Sequence, residues 1–318
     1  MSEKDNDKKK GAAAGANGNA KAPEVPAFLQ ADITIEDRTY GPQYPIVQWT
    51  NGDPSKKKEG GLAHHGGFFI SAEQQLKIPG AEPHVLITRE GEEIQGYAIR
   101  DLKGSAISFR RSWQVTPPKG LSQRFGNNEY DDALALGKPR GAAHVLFVPE
   151  GLDEPVVLTF RGFTARAMVG MAKDRGVIPM FGQLVVGGAS RLARQGANPR
   201  KVNFPTCAFS LVIGPARGAD GSPVYEDVGE GEATSKVTMP TWIDQPTGAV
   251  DASVINSRYV GAEKLARFQS FYTEAEEWVA EWSPEKLAAR RSRTVKAAAH
   301  APADGAASGA PGSHEMPF

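Results

Sequence analysis

The sequence predicts an α+β protein that is mainly β: a barrel or sandwich core with helical elaborations, a long C-terminal helix and disordered tails. Three observations lead there. Short apolar runs bounded by Gly, Pro and Asn turn signals follow one another from Tyr44 to Arg161, the pattern of many short strands. Apolar residues then recur at spacings of three and four between Leu265 and Trp282, the period of one helix face. Residues 1–25 and 297–318 are dominated by small and polar residues without an apolar period. Such segments bury too little apolar surface to fold.

A core over residues 26–296 lies between the tails. Tyr44-Pro-Ile-Val-Gln-Trp49 reads as a strand ending at the turn dipeptide Asn51-Gly52. Residues 56–61, Lys-Lys-Lys-Glu-Gly-Gly, read as a solvated loop, and Gly67-Phe-Phe-Ile70 as a buried strand. Residues 84–88 and 93–100 flank Arg89-Glu-Gly-Glu92 as a hairpin, and 106–115 follows Lys103-Gly104 as the next strand. Residues 144–148 and 155–161 flank a further turn. Helical spacing marks 163–175, with Gly176 as its cap. Residues 180–186, 208–213, 222–227 and 235–242 read as strands. The long helix spans 261–282, and a short one spans 284–293 with proline in its first turn. The stripe Leu265, Phe268, Tyr272, Ala275, Val279 and Trp282 fits packing on the β core better than a dimer seam, because about three heptads is short for a coiled coil. A homo-oligomer stays open.

The 318 residues include 37 basic and 37 acidic side chains and one cysteine, Cys207. A single thiol excludes an intramolecular disulfide and fits a reducing compartment. Next to Pro205 and Ala208-Phe209, it reads as a buried structural thiol. No apolar run reaches the roughly 18 residues of a membrane span. Lys4 and Lys8 to Lys10 are followed by no apolar signal core. The expected location is the cytoplasm, with no membrane partner. The zero net charge is unevenly spread. Residues 100–201 hold sixteen basic and eight acidic side chains, so this section is +8 and the remainder −8. That asymmetry points to a polyanionic partner.

Candidate binding residues cluster in the basic section. On a strand over 106–115, alternation puts Ile107, Phe109, Arg111 and Trp113 on one face and Ser108, Arg110 and Ser112 on the other. Arginine between two aromatics is costly in a core. It is natural on a nucleic acid, where rings stack on bases and guanidinium groups meet phosphate. Phe160-Arg161-Gly162-Phe163 with Arg166 repeats the pairing, and so does Arg124-Phe125 in a loop. Trp49, ahead of the lysine loop, adds a further stacking point. His64-His65 has no metal-ligand spacing with His84 or Cys207. Residues 187–191 lack the ending of a phosphate-binding P-loop. Glu92-Glu93 and Asp131-Asp132 read as solvated pairs in turns. No catalytic residue, metal or cofactor is assigned, and an enzyme is not expected.

Glu315-Met316-Pro317-Phe318 follows a run of Ala, Gly, Ser and Pro that starts at Ala297. A ring and an α-carboxylate on a flexible tether have the form of a hook for a partner's pocket. The tip and tail layout, about a tenth of the chain, resembles that of bacterial single-stranded DNA-binding proteins, whose tip ends in acidic residues followed by Ile-Pro-Phe. Here Glu315, with Asp304 further back, supplies the acid. The resemblance implies sequence-independent binding of single-stranded DNA. It also implies recruitment of replication, recombination or repair proteins through Glu315, Met316, Pro317 and Phe318. An OB-like barrel suits that role, although the core is longer than the family's compact domain. The alternatives are a structural or assembly protein of a phage or mobile element, and a metal-dependent nuclease built on the acidic pairs.

Overall fold

The computed structural model describes residues 44–88, 91–115, 123–127, 129–170, 175–195, 202–229 and 234–280, all within one compact unit. The predicted tails, residues 26–43 of the predicted core and the helix predicted over 284–293 lie outside the described residues.

The first half holds β1 (Ile46–Thr50), α1 (Gly61–His65), β2 (Gly67–Ser71), β3 (Glu82–Ile87), β4 (Glu93–Ile99) and β5 (Leu102–Val115). Next come β6 (Gln123–Gly126), α2 (Tyr130–Leu136), β7 (Arg140–Pro149), β8 (Val156–Arg161) and α3 (Phe163–Val169). The second half holds α4 (Val177–Phe181), a π-helical turn (Gly182–Val186), α5 (Gly187–Gln195), β9 (Leu211–Pro215), β10 (Tyr225–Val228) and β11 (Ser235–Thr238). It closes with β12 (Pro240–Trp242), α6 (Ala252–Arg258) and α7 (Ala262–Ala280). The protein is mixed α/β and mainly strands. Ten strands form one curled half-barrel sheet, ordered β12-β9-β5-β7-β8-β1-β2-β4-β3 with β6 added to β5. β10 and β11 form a separate hairpin. β1 and β8 run parallel; the other described pairs are antiparallel.

Alternation sorts the strand side chains onto two faces. Val47, Trp49, Phe68, Ile70, Phe147, Leu158 and Phe160 pack on one face with Met168 of α3, Phe181 of α4 and Trp242. Ile107, Leu146, Val148 and Val157 pack on the other with Cys207 and with Phe268, Ala275 and Trp278 of α7. Because helices cover both faces, β7 and β8 are nearly continuous apolar runs. In α7, Tyr272 is exposed, whereas Phe271 and Trp278 join the contact line. A strict three–four alternation drifts by about 20° per heptad on a straight helix, which accounts for the shift.

Other expectations are corrected. Residues 180–186, expected as a strand, are helical. Phe181 and Val185, four residues apart, are both buried, and a short apolar run does not separate the two periods. The helix expected over 163–175 stops at Gly170, whose φ of 70° makes it the capping glycine; Gly176 precedes α4 instead. Asp131 and Asp132 stand in the first turn of α2 rather than in a turn, where the helix dipole favours carboxylates. Arg124 and Phe125 belong to β6 rather than to a loop. A bulge between Ala106 and Ser108 moves Ile107 onto the face of Leu146. Phe109, Arg111 and Trp113 remain together, opposite Val145, Ala143 and Gly141.

β5 also starts earlier than expected, running through Lys103-Gly104. A Cβ on Gly104 would run into the Val148 carbonyl and stand 2.5 Å from Phe147 Cε1, so the strands close here only over glycine. Gly104→Ala is expected to lower the unfolding free energy by about 1–3 kcal/mol, measured by chemical denaturation. An unchanged midpoint would contradict this packing.

Candidate nucleic-acid interface

The interface candidate is built at the C-terminal end of β5. Trp113 faces Gly141 across the β5–β7 pair, and the Gly141 carbonyl accepts the Gly162 N–H at 2.7 Å. That bond brings the start of α3 to the tryptophan's end of the sheet. Trp113 donates its indole N–H to the Asn127 carbonyl at 3.1 Å and meets Tyr130 edge-on at 4.7 Å between centroids. Three large rings stay open to solvent in this region: Tyr130 is 42% exposed, Phe163 47% and Phe109 39%. Phe109 shares the face of Trp113 four residues away, a distance of about 13 Å along a strand. Arg166 follows Phe163 by three residues on the exposed side of α3, and Lys138 is exposed ahead of β7.

Both arginines of the predicted binding strand are committed elsewhere, which corrects their assignment. Arg111 donates Nη2–H to the carbonyls of Val169 at 2.9 Å and Gly170 at 2.6 Å, closing the C-terminus of α3. Arg110 lies 3.8 Å over the Trp278 ring and donates to the Trp278 carbonyl at 2.6 Å. The C-terminal carbonyls of α3 carry partial negative charge and favour the Arg111 cation. Each guanidinium thus holds a helix to the sheet.

Trp49 and Phe160 are corrected as well. Trp49 is 6% exposed and Phe160 is 0% exposed. Their rings pack 5.8 Å apart, and the Trp49 indole N–H reaches the Thr238 carbonyl at 3.2 Å. Neither offers a face to a base. Arg161 is exposed but lines the reverse face, in a hollow with Ser112, Gln114, Ala142, His144 and Thr159. There Ser112 Oγ lies 3.0 Å from His144 Nε2, and Thr159 Oγ1 lies 3.2 Å from His144 Nδ1. Phe125 is half-buried. The side chain of Arg124 and the residues Glu315, Met316, Pro317 and Phe318 lie outside the described residues.

Burial pushes the Cys207 thiol up to about 11, leaving it protonated at neutral pH and unsuited to nucleophilic work. Sequence reasoning missed Tyr130 as a site residue. No neighbour in the chain marks it, because its partner Trp113 comes from a different element.

No protein-family model matches the chain, and no solved structure matches it. The chain is 26% identical over 139 residues to the carbamoyl phosphate synthase large chain of Pyrococcus furiosus. The aligned stretch is 42% of this chain and 13% of that protein. Similarity of that extent assigns neither family nor activity.

The core and surface assignments of neighbouring phenylalanines can be separated by experiment. Phe160→Ala is expected to cost about 3–5 kcal/mol of stability, and Phe163→Ala within about 0.5 kcal/mol. Urea denaturation of the two variants measures the contrast; equal losses would contradict it.

Proposed function

We propose that the protein binds single-stranded DNA without sequence preference, by aromatic stacking and Arg/Lys contacts to phosphate, in replication, recombination or repair. The exposed rings of Phe109, Tyr130 and Phe163 near Trp113, with Lys138 and Arg166 exposed in the same region, carry this reading. Rings left open to solvent are stacking platforms that accept any base, each worth about 1–3 kcal/mol per base. The basic excess of residues 100–201 supplies the salt-dependent attraction to the backbone. An OB-like core, in which a curled sheet receives the strand, is in keeping with the half-barrel. The protein would work in the cytoplasm. The residues Glu315 to Phe318 would recruit replication or repair proteins, by their resemblance to the family tip.

Anisotropy with labelled oligo-dT is expected to show an affinity that falls steeply with added salt. Phe163→Ala should weaken it about tenfold, and Arg166→Gln should reduce the salt slope by about one. Absent or salt-insensitive binding would sink the reading.

Removing Phe318 should abolish capture of replication or repair proteins and leave oligo-dT affinity intact. Capture that survives the deletion would take the tip out of the proposal.

A further inference from the structure

The other end of β5 gathers a second basic cluster. The turn between β4 and β5 carries Arg100 and Asp101. Gly67 packs against that turn, since a Cβ on it would stand 3.0 Å from Arg100 Cα. His65, two residues before Gly67, therefore ends α1 in the same neighbourhood. Leu102 pairs with Ile213 of β9, and the segment leaving β9 delivers Arg217, which forms an ion pair with Asp101. Three residues distant in sequence meet because β2 and β4, and β5 and β9, are hydrogen-bonded neighbours.

Donors at this junction are in excess. Arg100 donates Nη2–H to the Gly221 carbonyl at 3.0 Å, but its Nε is buried without a partner among the described residues. Arg217 Nε and His65 Nδ1 are in the same condition. A buried donor without an acceptor is costly, and two arginine Nε–H groups in one neighbourhood call for an acceptor; His65 Nδ1 joins them as a donor in the tautomer that carries its proton there. Burial, and then Arg217, hold Arg100 below its ordinary value, with Asp101 opposing. Burial holds His65 down as well, reinforced by Arg100, His64 and Arg217 and opposed by Asp101. Two guanidinium groups thus lie near one carboxylate, which is paired with Arg217, in a partly desolvated place.

The surroundings are fixed. His64 Nδ1 lies 2.9 Å from Tyr225 Oη and 3.3 Å from the Asp53 carbonyl, and its ring meets that of His65 at 4.9 Å. The Asp220 carboxylate, held low chiefly by its hydrogen bonds to Ser222, also feels Lys57. The lysine loop therefore approaches the turn that supplies the Gly221 carbonyl.

We propose that Arg100, Arg217 and His65 form a phosphate-binding site. A phosphate group adds negative charge, accepts several N–H bonds and matches the planar fork of arginine. One carboxylate leaves charge and donors over; a phosphate takes up both. The site lies at the opposite end of β5 from the aromatic row and stands independently of the nucleic-acid reading. Its phosphate comes from a free phosphate or phosphomonoester, or from a nucleic-acid backbone.

The test uses the full chain. Thermal shift and calorimetric titration compare sodium phosphate with sodium chloride at equal ionic strength, and anisotropy with oligo-dT follows. Phosphate is expected to raise Tm above the chloride control. Arg100→Gln should weaken phosphate binding about tenfold. Arg100→Lys, which keeps the charge and loses the fork, should weaken it too and guards against a folding defect in the first variant. A phosphate response equal to that of chloride, or an affinity unchanged in both variants, overturns the site. If Arg100→Lys also lowers oligo-dT affinity, the phosphate belongs to a nucleic-acid backbone; if it spares that affinity, the ligand is a free phosphate. Phosphate binding without any oligo-dT binding upholds this site and removes only the nucleic-acid reading.

Discussion

The pairing of β5 with β7, from Gly104 opposite Pro149 to Gln114 opposite Arg140, is the constraint on which both candidate sites depend. β5 is fourteen residues long, about 45 Å at the usual strand rise. That length lets it pair with β9 at one end, β7 along most of its course and β6 at the other end. Its register with β7 sets Trp113 over Gly141 and so admits the start of α3 beside the ring. Its register with β9 sends Arg217 toward Asp101. The bulge at Ile107 separates the two halves of the strand. Before it, Ala106 serves the core with α3 and α4; at it, Ile107 turns to α7.

Arg110 and Arg111 show how adjacent cations can serve opposite faces of one strand. Alternation sends Arg110 to α7, where it meets the Trp278 carbonyl, and Arg111 to α3, where it meets the carbonyls of the helix end. A guanidinium group at such a place satisfies groups that a helix otherwise leaves without partners. It also escapes the penalty of an unpaired buried charge. The aromatic–basic pattern on this strand therefore has a structural cause. The exposed rings around it form a separate layer, supplied by α2, α3 and the outer part of β5.

Much of the fold was legible in local pattern. The hairpin of β3 and β4 follows from turn residues between two short runs, and the β7–β8 hairpin likewise. The helical face of α7 follows from its spacing, apart from the drift that exchanged Tyr272 for Trp278. The helical state of residues 180–186 was not legible, because a run of seven residues, six of them apolar or glycine, fits either period. Of the candidate site, Phe163 and Arg166 could be read from the chain, whereas Trp49 and Phe160 could not be told from surface rings. Ring burial depends on what packs across the sheet, and Phe68, Phe160 and Trp49 meet only after β1 and β8 have paired. The cluster of His65, Arg100 and Arg217 had no local signal, since three unrelated segments supply it.

The parallel seam between β1 and β8 has a consequence for the order in which the chain is made. It divides the sheet into two blocks that follow one another in sequence, β1 to β4 and then β5 to β9 with β12. The first block is fully synthesised by residue 99, but the partner of its β1 edge begins only at Val156. Pairings between distant segments form slowly because a long loop must close first. During that interval the ribosome presents a short sheet whose open border includes Val47 and Trp49. A bare strand edge is a template for other chains; within the first block the Gln74 side chain reaches it, accepting the Ile46 N–H at 3.0 Å.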